Sequence, residues 1–256
     1  MPLHTDLQIR QQGFVTVVTL NRAPHNFVDA ALMQSLAETL QKLDQQDHCR
    51  VIVLAAAGRS FCAGADFSVG QGGAIRNDLA HFYAQAMRLF HSRKPIVAAV
   101  HGAAVGGGLG LALVADFRVT CQEARFSANF TRLGFHPGFG LSTTLPRLIG
   151  EQKAALLFYT GRRIGGAEAV AMGLADELVP QGDVLDRAIA LAQEMAESAP
   201  LAVQSIRATL RRDLAERVTA VNQREMAEQI RQFQSDDFRE GIAATAQRRA
   251  PVFTGR

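Results

Sequence analysis

The sequence predicts an α/β fold of stacked, right-handed strand–turn–helix units, closed by an all-helical C-terminal region. Three observations predict it. Residues 51–55 and 96–100 are short apolar runs that read as buried strands. Each breaks into a Gly/Ala-rich segment, Phe61-Cys62-Ala63-Gly64-Ala65-Asp66-Phe67 and Gly102-Ala103-Ala104-Val105-Gly106-Gly107-Gly108-Leu109-Gly110. From Asp183 onward strand signals vanish, and Ala/Arg/Glu/Gln-rich stretches continue to Gln247.

The elements follow in order. Residues 7–9 and 14–20 read as a hairpin around Gln12-Gly13. Asp29 is placed to N-cap a helix that carries Leu32, Met33, Leu36, Leu40 and Leu43 on one face. After strand 51–55 and the first Gly/Ala segment, residues 70–73 read as a loop. A helix over 78–91 presents Leu79, Phe82, Tyr83, Ala86 and Leu89. Strand, glycine turn, helix and strand then recur through Val119, an order that favours stacked units over an open doubly wound sheet. Gly182-Asp183 starts one late helix and Pro200 another. Leu201, Ile206, Leu210, Leu214 and Val218 are too few for an independent core, so these helices must pack on the α/β body or on a neighbouring subunit.

Apolar residues make up 48% of the 256-residue chain, enough for a sizeable core, with no long disordered tract. A net charge of +3 does not point to nucleic acid. Cys49, Cys62 and Cys121 lack CxxC spacing and read as reduced thiols of a cytoplasmic protein. The first ten residues have no apolar core of a secretory signal. Residues 96–115 contain no Asp, Glu, Lys or Arg, yet five glycines and His101 favour a buried strand, turn and helix over a membrane span.

A strand that ends in Gly and Ala leaves backbone N–H groups unshielded, and two of them aimed at one point can hold a developing oxyanion. Competing readings of the glycines fail: the third glycine of GxGxxG is missing, and GK[ST], GxSxG, HExxH and paired CxxC are all absent. No metal is expected.

The two Gly/Ala segments, in this order and context, resemble the crotonase (enoyl-CoA hydratase/isomerase) superfamily. So do Leu20-Asn21-Arg22-Ala23-Pro24-His25-Asn26, Ala115-Asp116-Phe117-Arg118-Val119, Leu133-Gly134-Phe135-His136-Pro137-Gly138, Leu145-Pro146-Arg147, the segment from Thr160-Gly161-Arg162-Arg163 to Gly173-Leu174-Ala175, and the Phe253 ending. The resemblance implies a crotonase-like spiral of repeated β–β–α units over residues 1–195, and a helical trimerisation region over 196–256. It implies an acyl-CoA enzyme of lyase or isomerase type in fatty acid metabolism, working as a homotrimer or a dimer of trimers. Coenzyme A enters as part of the substrate, no other cofactor is expected, and neither is a membrane or nucleic acid partner.

By position in the family, the oxyanion donors are the N–H groups of Ala65 and Gly107, the latter reinforced by a helix dipole. One such donor is typically worth about 3–4 kcal/mol in the transition state. The resemblance places coenzyme A contacts at Arg22, Ala23, His25, Ala63 and Arg248, with the two arginines suited to phosphate. Asp66 and Phe130 complete that substrate-binding set, Asp66 as a brace of the first donor loop. The family's two hydratase glutamates fall on Gly110 and Phe130, and a third carboxylate position falls on Gly138, so all three acid/base sites are empty. Each lost acid or base is worth something like 10²–10⁴-fold. His136, in the loop that carries such groups in relatives, is the candidate replacement. Tyr83, His101 and Asp116 read as structural, with His81 and His91 on the same helix as Tyr83.

A retained hole without glutamates also suits hydrolysis or C–C cleavage of a thioester or β-dicarbonyl substrate. Phe130, Phe135 and Phe139 suggest an apolar acyl pocket. A noncatalytic coenzyme A or RNA binder is the alternative from another class. Its basic stretch, Arg207, Arg211, Arg212 and Arg217, is interrupted by Asp213 and Glu216 and reads as a solvated helix face.

Overall fold

The computed structural model describes residues 6–65 and 78–256. Asp66 and the expected loop at 70–73 lie outside the described residues. The N-terminal hairpin forms as expected: β1 (Leu7–Gln12) pairs antiparallel with β2 (Val15–Leu20), with Gly13 at positive φ in the turn. β2 then opens a run of parallel neighbours, β3 (Val51–Ala56), β5 (Ile96–Val100), β7 (Phe117–Thr120) and β10 (Glu177–Leu178). In β3 and β5 the side chains from Val51 to Ala55 and from Ile96 to Val100 are buried, so these two strands read as continuous apolar runs.

A second, shorter sheet runs β4 (Ser60–Cys62), β6 (Ala103–Val105), β8 (Arg125–Ser127) and β9 (Arg163–Gly165). β4, β6 and β8 are mutually parallel, and β9 is antiparallel to β8. Each long strand is followed along the chain by a short one: β3 by β4, β5 by β6, β7 by β8. The chain steps from the large sheet to the small one and returns, which is the β–β–α spiral expected.

α1 (Ala30–Asp44) is capped by Asp29, whose carboxylate accepts from the Leu32 N–H at 2.8 Å, and its five expected apolar residues are buried. The helix expected over 78–91 is α2 (Leu79–Arg88) running into a 3₁₀ turn, Leu89–His91. The stretch 96–115 divides among β5, β6 and α3 (Gly107–Ala112), and no helix among the described residues is long and apolar enough to cross a membrane. After β8 come a 3₁₀ turn (Asn129–Leu133), α4 (Leu141–Ile149), α5 (Glu151–Thr160) and α6 (Gly166–Met172). Cys49, Cys62 and Cys121 are buried and free.

The C-terminal helices are α7 (Val184–Ala196), α8 (Pro200–Leu210), α9 (Leu214–Gln232) and α10 (Asp236–Ala246). α9 and α10 return over the chain's own body. Buried Glu225 of α9 accepts the Gly140 and Ser142 N–H groups at 2.7 and 2.9 Å, capping α4. Gly241 of α10 touches the Leu133 backbone so closely that a Cβ there would lie 2.5 Å from the Leu133 carbonyl carbon. α8 divides its residues differently: Leu201, Ile206 and Leu210 are exposed.

The basic stretch is not a wholly solvated face. Arg207 and Arg211 turn inward onto Asp116, at 2.8 Å each, and Asp116 also accepts the Ile96 N–H at 2.9 Å. Arg207 further donates to the Ser92 carbonyl. Only Arg212 and Arg217 of the four stay at the surface. Burial alone would raise the Asp116 pKa, but the two guanidiniums outweigh it and hold the carboxyl below its ordinary range.

Candidate active site

The site is dictated by the register of the small sheet. β4 and β6 are parallel neighbours, pairing Ser60 with Ala103 and Cys62 with Ala104, so both end at the same side. The chain leaving β4 passes through 63–65, and the chain leaving β6 passes through 106–107 into α3. The two exits nearly touch: a Cβ on Gly64 would lie 2.7 Å from the Val105 oxygen and 3.6 Å from the Gly107 nitrogen. A Cβ on Gly108 would lie 2.0 Å from the Cys62 oxygen, so only glycine permits this approach. Gly64 and Gly106 also take positive φ, +89° and +55°.

Ala65 is held by a parallel bridge to Val28, in which Val28 N–H donates to the Gly64 oxygen at 2.9 Å. That pairing leaves the Ala65 N–H unused. Gly107 is the first residue of α3, where no carbonyl four residues back serves its N–H. Neither N–H donates to another backbone group among the described residues. β8 ends on the same side and brings Asn129 and Phe130 alongside, with the Asn129 oxygen 3.3 Å from where a Gly106 Cβ would be.

These exits wall a cavity of about 510 Å³ that contains Ala65 and Gly107 together. Phe27, Phe82, Phe130, Phe135, Phe139 and Phe233 line it, and α9 and α10 contribute Gln229, Ile242 and Thr245. Arg59, Arg125 and Arg163 lie at its exposed edge, none paired with a carboxylate among the described residues. No Asp or Glu among the described residues lines it.

The expected site residues separate into two groups. Ala65, Gly107, His25, Ala63 and Phe130 come together in the cavity. Arg22, Ala23, Arg248 and His136 do not line it. The Arg22 guanidinium is tied to Asp6 and Asp29 at 2.6 Å each, which braces the N-terminal segment. Ala23 packs toward Gly58, where an added Cβ would meet its own at 2.9 Å. Asn26, fully buried, fixes that segment by donating to the Ala57 and Ser60 oxygens at 2.7 and 2.8 Å. Arg248 is exposed beyond the end of α10. His136 faces a separate groove beside Gln232 and Arg256, with Nδ1 2.7 Å from the Pro137 oxygen.

Packing explains the three positions without a carboxylate. At Gly110 an added Cβ would lie 2.6 Å from the Phe139 Cβ and Cγ, so the Phe139 side chain fills that space. At 130 the side chain is itself a buried phenyl ring, 5.4 Å from the Phe135 ring. At Gly138 a Cβ would lie 1.8 Å from Tyr83 Oη. Gly110→Glu is therefore expected to destabilise the fold by about 1–3 kcal/mol of overpacking without creating hydratase activity. Thermal denaturation and a crotonyl-CoA assay check both halves.

Several site groups escaped the sequence. Arg59, Arg125 and Arg163 lie far apart in the chain and meet only because β4, β8 and β9 share one small sheet. Gln229 sits in the last turn of α9 and carries no local signal. Tyr83 was legible as a buried aromatic, and its hydroxyl donates to Gln229 Oε1 at 2.9 Å.

A spiral of β–β–α units with an apolar cavity at the Gly/Ala crossing defines a crotonase-type scaffold. The enoyl-CoA hydratase/isomerase family profile matches residues 10–256, and the chain belongs to that family. A probable enoyl-CoA hydratase of Rhodobacter capsulatus is 35% identical over 260 residues, covering 100% of both chains. Carnitinyl-CoA dehydratase of Escherichia coli O157:H7 is 32% identical over 257 residues, covering 98% of each. The crystal structure of an enoyl-CoA hydratase/isomerase from Pseudoalteromonas atlantica T6c superposes with a TM-score of 0.86 at 29% identity, covering 97% of this chain and 100% of that one.

Proposed function

We propose that the protein stabilises a thioester enolate or oxyanion of an acyl-CoA, with the N–H groups of Ala65 and Gly107 as the two donors. The single observation that carries this reading is that Ala65 and Gly107, whose N–H groups serve no other backbone acceptor among the described residues, line one apolar cavity together. Fixed backbone dipoles aimed at the thioester oxygen gain strength where water is excluded, and they need no reorganisation as charge develops. The α3 N-terminus adds its dipole at Gly107.

Arg59, Arg125 and Arg163 at the cavity edge suit the phosphates of coenzyme A, with His25 and Ala63 along the path inward. Arg22 and Arg248 have no comparable placement. No cofactor beyond the coenzyme A of the substrate enters this reading. The uncovered apolar residues of α8 suit contact between copies, as a trimer or a pair of trimers in the cytoplasm.

The relatives are named hydratases and dehydratases, so addition of water to an enoyl thioester is the reaction to test first. Without a carboxylate among the described cavity residues, its rate should fall roughly 10²–10⁴-fold for each missing acid or base group. The test is mass spectrometry of crotonyl-CoA incubated with the protein in D₂O. We expect little hydrated product alongside measurable binding of the thioester. Fast hydration would overturn the carboxylate-free reading, and absence of any acyl-CoA binding would overturn the function itself.

A further inference from the structure

A second cavity, of about 500 Å³, opens among α4, α8 and the chain that joins α3 to β7, and it shares no lining residue with the phenylalanine-lined one. Its size falls within the roughly 300–1,000 Å³ of small-molecule sites. Leu113, Leu148, Met195, Val203, Ile206 and Leu210 give it apolar walls. Arg147, Arg207 and Arg211 line it too, against one carboxylate, Asp116. No other Asp or Glu among the described residues lines it.

The two inner arginines are incompletely paired, although each side chain is only 9% exposed. Arg207 donates Nε to Asp116 and Nη1 to the Ser92 oxygen. Arg211 donates Nη1 to Asp116 at 2.8 Å and to the Val114 oxygen at 3.1 Å, and Nη2 to that same oxygen. Arg207 Nη2 and Arg211 Nε are buried with no acceptor among the described residues. A buried donor left unpaired is costly, so these two nitrogens call for an acceptor. Arg147, exposed at the edge, donates Nη2 to the Leu210 oxygen at 2.9 Å. Three positive charges therefore share one negative. Burial, then the charges of Arg211 and Arg217, pulls Arg147 below its ordinary pKa. Burial lowers Arg207 as well, and Asp116 offsets this only in part.

Apolar contact between copies along α8 would cover Ile206 and Leu210 but give the two nitrogens no acceptor. An anion with an apolar body does both. A carboxylate presents two oxygens to guanidinium donors, while a second negative charge would be expensive to bring between apolar walls. We propose that this cavity binds a monocarboxylate with an unbranched apolar tail. Its head pairs with Arg147, Arg207 and Arg211, and its tail lies against Met195, Val203 and Ile206. The proposal does not depend on the acyl-CoA reading, since the two cavities have separate walls.

The test is calorimetric titration of the full chain with decanoate, decanol and acetate, with a diazirine analogue of decanoate to locate the site by peptide mass spectrometry. Decanoate should bind, and decanol, which lacks the charge, should bind more weakly by about 10-fold or more. Acetate, which lacks the tail, should bind weakly as well. Crosslinks should fall within residues 144–148 and 195–214. Arg147→Ala should weaken decanoate by about 10-fold. Val203→Trp, which fills the cavity and keeps all three arginines, should abolish binding, with denaturation curves confirming that both variants fold. Equal affinity for decanol and decanoate would overturn recognition of the head. Crosslinks confined to the phenylalanine-lined cavity, or undiminished binding by Val203→Trp, would overturn the location. Absence of decanoate binding to the wild type would overturn the ligand, and sedimentation showing association that Leu210→Asp abolishes would then assign the face to a neighbouring copy.

Discussion

Gly108→Ala is expected to lower acyl-CoA turnover by about 10²–10³-fold, the range seen when one oxyanion donor is lost. The alanine methyl would sit 2.0 Å from the Cys62 carbonyl oxygen, a backbone atom that cannot rotate aside. The exits of β4 and β6 must separate, and Ala65 and Gly107 ride on those two exits. A shift of a few tenths of an ångström in one donor spoils a geometry that depends on both. Gly182→Ala is the control, because nothing lies within 4 Å of its added methyl. Steady-state kinetics on the two variants, with denaturation curves to confirm folding, separate a site effect from a general glycine effect. Equal activity of both variants would mean that the crossing has slack the structure does not suggest.

Asp116→Ala should be the most destabilising single change outside the cavity. It leaves Arg207 and Arg211 buried without their counter-ion and the Ile96 N–H without its acceptor. Breaking a buried pair from one side typically costs about 3–5 kcal/mol, or roughly 10 °C in Tm for a chain of this size. Dependence on pH follows from the depressed carboxyl. A folded pKa below the unfolded value gives stability that is full above the unfolded pKa, near 3.9, and is lost as pH falls through the lower folded value. The stability gap between wild type and Asp116→Ala should therefore hold from neutral pH to about 5 and narrow in more acidic buffer. Urea titrations at several pH values measure it directly.

Local chemistry carried most of the fold into the sequence. The Asp29 cap, the five-residue face of α1 and the buried runs of β3 and β5 are each set by residues within one turn or strand, so pattern alone exposed them. The Gly/Ala crossing was legible for a related reason: glycine is needed where backbones approach, and Gly64 and Gly108 mark that approach. The remainder of the site depends on partners brought together by the spiral. Tyr83 and Gln229 are 146 positions apart, and no periodicity links them. Nothing before the fold says that the Phe139 side chain fills the space beside Gly110. His136 belongs to the right loop, but the turn at Pro137 and α9 direct it away from the cavity. Arg207 and Arg211 read as surface charges because Asp116, their partner, lies some ninety residues earlier.

The burial of the cysteines has a consequence for how the protein meets electrophiles and oxidants. Cys62 ends β4 at the crossing itself, and burial pushes its thiol up to about 12, only partly offset by a hydrogen bond with the Gly64 backbone. Burial likewise raises Cys49 and Cys121. Attack on peroxide, disulfide or an alkylating agent needs the thiolate, and at neutral pH the folded chain offers almost none. Sulfur therefore sits on the very residue whose carbonyl Gly108 approaches, without making the crossing a point of chemical damage. The same atom, once the chain opens, regains ordinary thiol reactivity.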